Sequence, residues 1–125
     1  MKTKTFKVPM YDWNVKLIEL NKKDKFKELN TVLKRFKIYL NKEDVKDISI
    51  KVDENYTGGG CSLIDSMFRI AVILIYPQEN KADGINTLCH EKRHLEDEII
   101  IKHDLNGEIE AAAYLAGYLA EKLLF

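Results

Sequence analysis

The sequence predicts an α+β fold, with a small mixed sheet and about three helices. Three observations predict it. Apolar and polar residues alternate in two parts of the first half of the chain, as in half-buried strands. A stretch near residue 70 is almost wholly apolar, and the apolar spacing then becomes helical up to the C terminus. In the resulting order of elements, we expect the helices to pack on one face of the sheet.

The first half of the chain predicts strands on either side of a helix. Alternation predicts a strand over residues 12–19 and a short strand before it at residues 6–8. Apolar residues at helical spacing predict a helix over residues 22–40, with Asn21 as its N-cap. Alternation returns at residues 48–52 and predicts another short strand there.

The second half begins with a loop at residues 55–60, which is rich in glycine. Strands are expected at residues 61–65 and 67–77, and the second is so apolar and β-branched that we expect it to be buried on both faces. Helical spacing then predicts two helices in succession, over residues 81–103 and 108–124.

Length and composition limit the class of protein. The 125 residues suit a single domain spanning residues 1–125, and 46% hydrophobic with 32% charged residues is a globular composition. No signal peptide and no membrane span are expected, and two cysteines do not suggest a disulfide framework, so a cytoplasmic setting is predicted. Formal charge is zero, yet residues 1–51 hold 14 basic against 7 acidic side chains and the remainder reverses this excess.

The segment His90-Glu91-Lys92-Arg93-His94 contains the pattern His-Glu-x-x-His within the predicted helix 81–103. Residues four apart lie on one helix face, so the two histidines would present their imidazoles to a single metal ion. Glu91 is rotated by about 100° from His90, and from there a carboxylate can take a proton from a water beside the metal. The pattern therefore predicts a Zn²⁺ site suited to hydrolysis.

A catalytic zinc site needs a third protein ligand. The His-x-x-Gly-x-x-His extension is excluded, because the chain has Asp97 where glycine is needed and Ile100 where histidine is needed. His103 lies about 13 Å beyond His94 along a straight helix, which is too far. A glutamate of the following helix remains, and the residues leave both Glu108 and Glu110 open.

The C-terminal helix carries the sequence EAAAYL at residues 110–115. His-Glu-x-x-His followed by this sequence resembles the small gluzincin-like zinc proteins of phages and other mobile elements, over about residues 85–123. The resemblance implies a zincin-like minimal domain with the motif on the second-last helix, Glu110 as third ligand on the last helix, and metallopeptidase activity. Larger gluzincins usually carry aspartate where this chain has Tyr114.

Four further residues are candidates for supporting roles. Asp97 shares a helix face with His94 and could accept a hydrogen bond from its imidazole N–H, as could Glu98. Tyr114 or His103 could stabilise an oxyanion. The charges of the Lys92-Arg93 pair, in the middle of the motif, are expected to reach solvent.

The expected function is zinc-dependent hydrolysis of a peptide or protein, with an extended substrate held by strand addition near residues 58–65. A catalytically silent, zinc-stabilised structural or interaction module is the main alternative. A weaker one is nucleic-acid binding through the basic helix 22–40, against which the zero net charge and the scattered lysines argue.

Overall fold

A four-stranded sheet lies between two pairs of helices in the computed structural model, which describes residues 1–125. The fold is α+β. In chain order the elements are β1 (Lys2–Val8), β2 (Trp13–Glu19), α1 (Phe26–Arg35), α2 (Lys42–Asp53), β3 (Gly60–Asp65), β4 (Ile70–Ile75), α3 (Lys81–Lys102) and α4 (Ile109–Leu124).

The sheet is mixed, with the strand order β1-β2-β4-β3. Strands β2 and β4 pair in parallel at the centre, and β1 and β3 join them antiparallel at the two edges. A parallel pair needs a long crossover, and here the chain between the two strands includes α1, α2 and β3. Because β3 is the last strand in this order, it is paired with β4 on one side and has no strand on the other.

The helices cover both faces of the sheet, so the expectation of a single covered face is wrong. Ala71, Ile73 and Ile75 of β4 belong to the core formed with α3 and α4, whereas Val72 and Leu74 belong to the core formed with α1 and α2. A strand that is apolar at every position must be covered on both sides, because alternate side chains point to opposite faces. The predicted burial on both faces is confirmed for β4, but the strand starts at Ile70 and not at residue 67, because Met67 and Phe68 lie exposed in the turn before it.

Residues 48–52 belong to helix α2, and the strand predicted there is wrong. Ile48 and Val52 are buried, and Ile50 between them is exposed. Residues four apart lie on one face of a helix and also on one face of a strand. The apolar residues at 48, 50 and 52 therefore could not distinguish a helix from a strand. The side chain of Asn41 caps the helix by accepting a hydrogen bond from the Asp44 N–H at 2.8 Å. The chain thus has four helices, where the sequence suggested about three.

Helix α1 is shorter than the helix predicted over residues 22–40, and Asn21 is not its cap. The Asn21 side chain instead accepts from the Lys23 N–H at 2.8 Å, and Asp24 accepts from the Asn21 N–H at 2.8 Å. Such local bonds offer the backbone an alternative to the helix, so it starts only at Phe26. At the other end, Lys37 has a positive φ of 67°, which a right-handed helix does not allow, so the helix cannot continue to residue 40.

Helices α3 and α4 match the predicted helices to within about a residue at each end. Helix α3 packs over β3 and β4. Helix α4 lies towards β1, where the Tyr118 hydroxyl donates to the Lys7 carbonyl at 2.7 Å. The His-Glu-x-x-His motif is therefore on the second-last helix, whose neighbours are β3 on one side and α4 on the other. None of the four helices has the length and apolar character that crossing a membrane requires.

Candidate metal centre

Helix α3 holds the motif against the sheet through its apolar face. Leu88, Leu95 and Ile99 are buried in the core, which fixes the rotation of the helix about its axis. With that face inward, His90 and His94 are exposed one turn apart, while Glu91 lies against β3 and is only 4% exposed. The i and i+4 spacing of the histidines and the inward apolar stripe thus produce the arrangement that the motif predicts.

The two imidazoles are spaced as ligands of one ion would be. Their Nε2 atoms lie 3.1 Å apart, and the ring planes meet at 83°. Two nitrogens bound to one tetrahedral zinc, at the usual bond length, would lie about 3.3 Å apart. The ligand atoms of His90, Glu91 and His94 all lie within 4.8 Å of one another. The donor set therefore fits a zinc ion in both spacing and chemistry.

Glu91 is oriented by a residue that the sequence did not single out. The Ser62 hydroxyl donates to Glu91 Oε2 at 2.9 Å and lies 3.2 Å from the Glu91 carbonyl oxygen. The other carboxylate oxygen, Oε1, is 4.0 Å from His90 Nε2. One oxygen is thus fixed on the β3 side, while the other faces the imidazoles. Strand alternation places Ser62 on the α3 face of β3, which is the only signal that the sequence offers for this contact.

Ser62→Ala should destabilise the fold by about 1–3 kcal/mol, because the buried Glu91 carboxylate loses a hydrogen-bond donor. Urea denaturation followed by circular dichroism measures this loss. Ser66→Ala is the matched control, since its hydroxyl donates to Glu98 at 2.7 Å in a less buried setting. Equal losses in the two variants would contradict a special role for the Ser62 contact.

A polar groove of about 650 Å³ runs beside the motif, between α3 and β3. His94, Glu91 and Ser62 line one part of it, and Asp97 and Glu98 continue the lining along α3. The groove is thereby open along the outer edge of the sheet, with the His94 imidazole at its wall.

Asp97 does not contact the imidazole of His94. It is bound instead to Arg93, whose Nε lies 3.1 Å from Asp97 Oδ1. Arg93 is 71% exposed, as expected for a charge inside the motif. Lys92 does not reach solvent in the same way, because it is largely buried in an ion pair with Glu96. The expected exposure of the pair therefore holds for Arg93 alone.

Glu110 and Tyr114 lie apart from the imidazoles. Glu110 is exposed in the first turn of α4 and is not among the converging ligand atoms. Tyr114 is 66% exposed and lines a small apolar cavity with Pro9 and Met10 at the β1–β2 turn. Helix α4 returns on the β1 side of α3, whereas the motif faces β3, so the two helices present these groups in different directions. The role of Glu110 as third ligand stays a prediction.

Cys61 is next to Ser62 in β3, but its side chain packs on the opposite face of the sheet from the motif. Burial, and then the negative charge of Glu91, raise the pKa of its thiol to about 12. This agrees with the position of Cys61 in the apolar cluster on the α1 and α2 side of the sheet.

His103 serves a different part of the fold. Trp13 Nε1 donates to His103 Nε2 at 2.9 Å, and the Tyr11 ring lies 4.8 Å from the imidazole between centroids. Burial lowers the pKa of His103, and the charges of Arg69 and Lys102 lower it further. The imidazole is thereby kept neutral as an acceptor for Trp13. It lies at the end of α3, beyond the reach of the motif.

Acidification from pH 7 to pH 5 should weaken the fold through His103. The pKa of His103 is lower in the folded chain than in the unfolded chain, where it is about 6.5. As the pH falls below 6.5, the unfolded chain therefore binds the proton more readily than the folded chain, and the free energy of unfolding decreases. His103→Gln keeps an acceptor for Trp13 and does not titrate, so it should lose less stability over this range. Urea unfolding followed by the fluorescence of the single tryptophan measures both. Identical losses of stability in the variant and the unmodified chain would contradict the assignment of this pH dependence to His103.

Comparisons of the chain with protein-family models, with curated proteins and with solved structures found no match.

Proposed function

We propose that this chain is a zinc-dependent metallopeptidase of the gluzincin type, with His90, His94 and Glu110 as metal ligands and Glu91 as general base. One observation carries the proposal: two imidazole Nε2 atoms 3.1 Å apart, next to a buried carboxylate that belongs to the same group. A four-stranded mixed sheet with the motif helix beside an edge strand supports a zincin-like domain.

Zinc bound at this group would polarise the scissile carbonyl and lower the pKa of a water molecule. Glu91 would take a proton from that water as the water oxygen adds to the carbonyl carbon, and would deliver this proton to the amine that leaves when the C–N bond breaks. Ser62 holds one carboxylate oxygen in place, so the other remains directed at the reaction. Low exposure of Glu91 strengthens its interaction with charges near it, because the local dielectric is low.

The substrate in this proposal is an extended peptide added to the sheet beside β3. The outer side of this edge strand has no partner strand, and the groove lined by His94 and Glu91 follows it. Main-chain hydrogen bonds to an edge strand are a common mode of peptide recognition. They would bring the peptide backbone past the imidazoles in a fixed direction.

The proposal is tested by metal analysis together with a cleavage screen. Protein purified without a histidine tag should bind one zinc per chain, as measured by mass spectrometry after incubation with equimolar zinc. Diverse peptide libraries should then yield products that disappear with a chelator and return with added zinc. A chain that takes up no zinc, or cleavage that is indifferent to the chelator, would refute the proposal.

One observation favours a second candidate, a zinc-stabilised interaction module without activity. The converging ligand atoms are those of His90, Glu91 and His94, and Glu110 is not among them. If Glu91 itself completed the metal site, no carboxylate in that group would be left to act as the base. Both candidates predict zinc binding, but they assign opposite roles to Glu91.

A further inference from the structure

The outer edge of β3 exposes main-chain groups in a fixed pattern. The Tyr76 N–H donates to the Gly59 carbonyl at 3.1 Å, which makes these two residues a hydrogen-bonded pair at the start of the β3–β4 ladder. In an antiparallel pair such residues alternate, so Cys61 and Leu63 direct their N–H and C=O groups towards β4. Ser62 and its neighbours two residues away direct theirs outwards, where no strand pairs with them.

A strand added to this edge would send its side chains alternately to the two faces of the sheet. Side chains on one face would enter the groove beside α3, which contains His94. Those on the other face would enter a second groove of about 510 Å³, between β3 and the start of α2. This second groove is called the α2-side groove below. It shares Ser62 and other β3 edge residues with the groove beside α3, but neither the two histidines of the motif nor Glu91 lines it.

The α2-side groove combines an apolar floor with acidic side chains. Ile48 and Leu63 are among its apolar lining residues, and the carboxylates are those of Asp44, Asp47 and Asp65. No lysine or arginine lines it. Lys51 approaches only Asp47, at 3.5 Å on the exposed side of α2, so most of the negative charge remains without a cationic partner.

This lining suits the side chain of lysine or arginine. The methylene stem of such a side chain can lie along apolar surface while its charged end meets carboxylates. The ring of Tyr39 also lines the groove and is 68% exposed, so it offers a face to a cation. An acidic or purely apolar side chain would gain less from the same surroundings.

We propose that the β3 edge binds an extended peptide carrying lysine or arginine at positions that alternate with those facing His94, with the basic side chains in the α2-side groove. This deepens the proposed function by naming its substrate class, and it rests on that function only for cleavage of the bound peptide. The binding itself uses β3 and α2, and needs neither zinc nor Glu91.

Fluorescence anisotropy on the full chain, in chelator so that no hydrolysis occurs, tests the charge preference. A labelled peptide with alternating lysine and threonine should bind, and the same peptide with glutamate in place of lysine should not. Asp44→Asn combined with Asp47→Asn should lower the affinity for the lysine peptide by about three- to tenfold. Higher salt should weaken binding to the unmodified chain as well.

Glu43→Gln is the matched control, because Glu43 lies in the same first turn of α2, is exposed and does not line the groove. It should leave the affinity unchanged. The helix cap survives in all variants, since Asn41 binds the main-chain N–H of Asp44 and not its carboxylate. Equal binding of the lysine and glutamate peptides, or equal losses in Glu43→Gln and the double variant, would overturn the proposal.

Backbone N-methylation of the peptide tests strand addition separately. Only every second amide of an added strand bonds to β3, so methyl groups on one alternating set should abolish binding while those on the other set are tolerated. Equal effects of both sets would overturn the strand geometry. Intact, charge-selective binding without any zinc-dependent cleavage would refute the proposed peptidase alone. Zinc-dependent cleavage without a preference for basic peptides would refute this inference alone.

Discussion

His94→Ala should reduce zinc binding from one ion per chain to none at equimolar zinc, and His90→Ala should do the same. Each change removes one of the two nitrogens that lie 3.1 Å apart, and no other histidine is close enough to replace it. The affinity should fall by more than about a hundredfold, since even residues that only support metal ligands contribute about 10- to 100-fold. Isothermal titration and mass spectrometry of the dialysed protein both measure it.

His103→Gln is the control for this experiment. It removes the remaining histidine of the chain but leaves the motif intact, and glutamine can still accept from Trp13. We expect it to bind zinc as the unmodified chain does. Retention of full zinc affinity in both His90→Ala and His94→Ala would show that the ion is held elsewhere. The His-Glu-x-x-His pattern would then have no part in metal binding.

Glu91→Gln should leave zinc bound and remove nearly all hydrolysis. Glutamine has almost the same size and can still accept the hydrogen bond from Ser62, but it cannot take a proton from water. A general base contributes about a hundred- to ten-thousand-fold, so kcat should fall by that factor. The measurement compares zinc content and cleavage of the same peptide library by the two proteins.

The outcome for Glu91→Gln also separates the two candidate functions. If zinc is lost with the carboxylate, Glu91 is a ligand and the interaction module is the better description. Unchanged cleavage in the variant would indicate a contaminant or a different mechanism. Glu121→Gln, at an exposed position of α4, is the control for a charge change remote from the site and should leave both zinc and cleavage unaltered.

Local periodicity was sufficient to predict the group formed by His90, Glu91 and His94 and the elements that carry it. The spacing of His90 and His94 is a property of a single helix, and that helix has enough apolar positions to be recognised without knowledge of its neighbours. Strand β4 was equally clear, because a wholly apolar and mostly β-branched run between Arg69 and Tyr76 has few alternatives to a buried strand.

Short or competing signals needed the tertiary structure. Ile48, Ile50 and Val52 fit both a strand and a helix, and packing of Ile48 and Val52 against the sheet decided for the helix. The start of α1 was decided by side-chain bonds of Asn21 and Asp24 to nearby backbone. No periodic pattern encodes such contacts, because they depend on where individual polar groups find partners.

One helix turn brings His90, Glu91 and His94 together, so their spacing in the chain was enough to predict that they meet. The groups that surround them depend on how the other elements pack. Ser62 is 29 residues away in the chain and reaches Glu91 because β3 lies under α3. Glu110 is on the next helix and stays outside the cluster because α4 packs towards β1. Distances within a helix follow from its repeat, whereas those between elements follow from how their apolar faces pack.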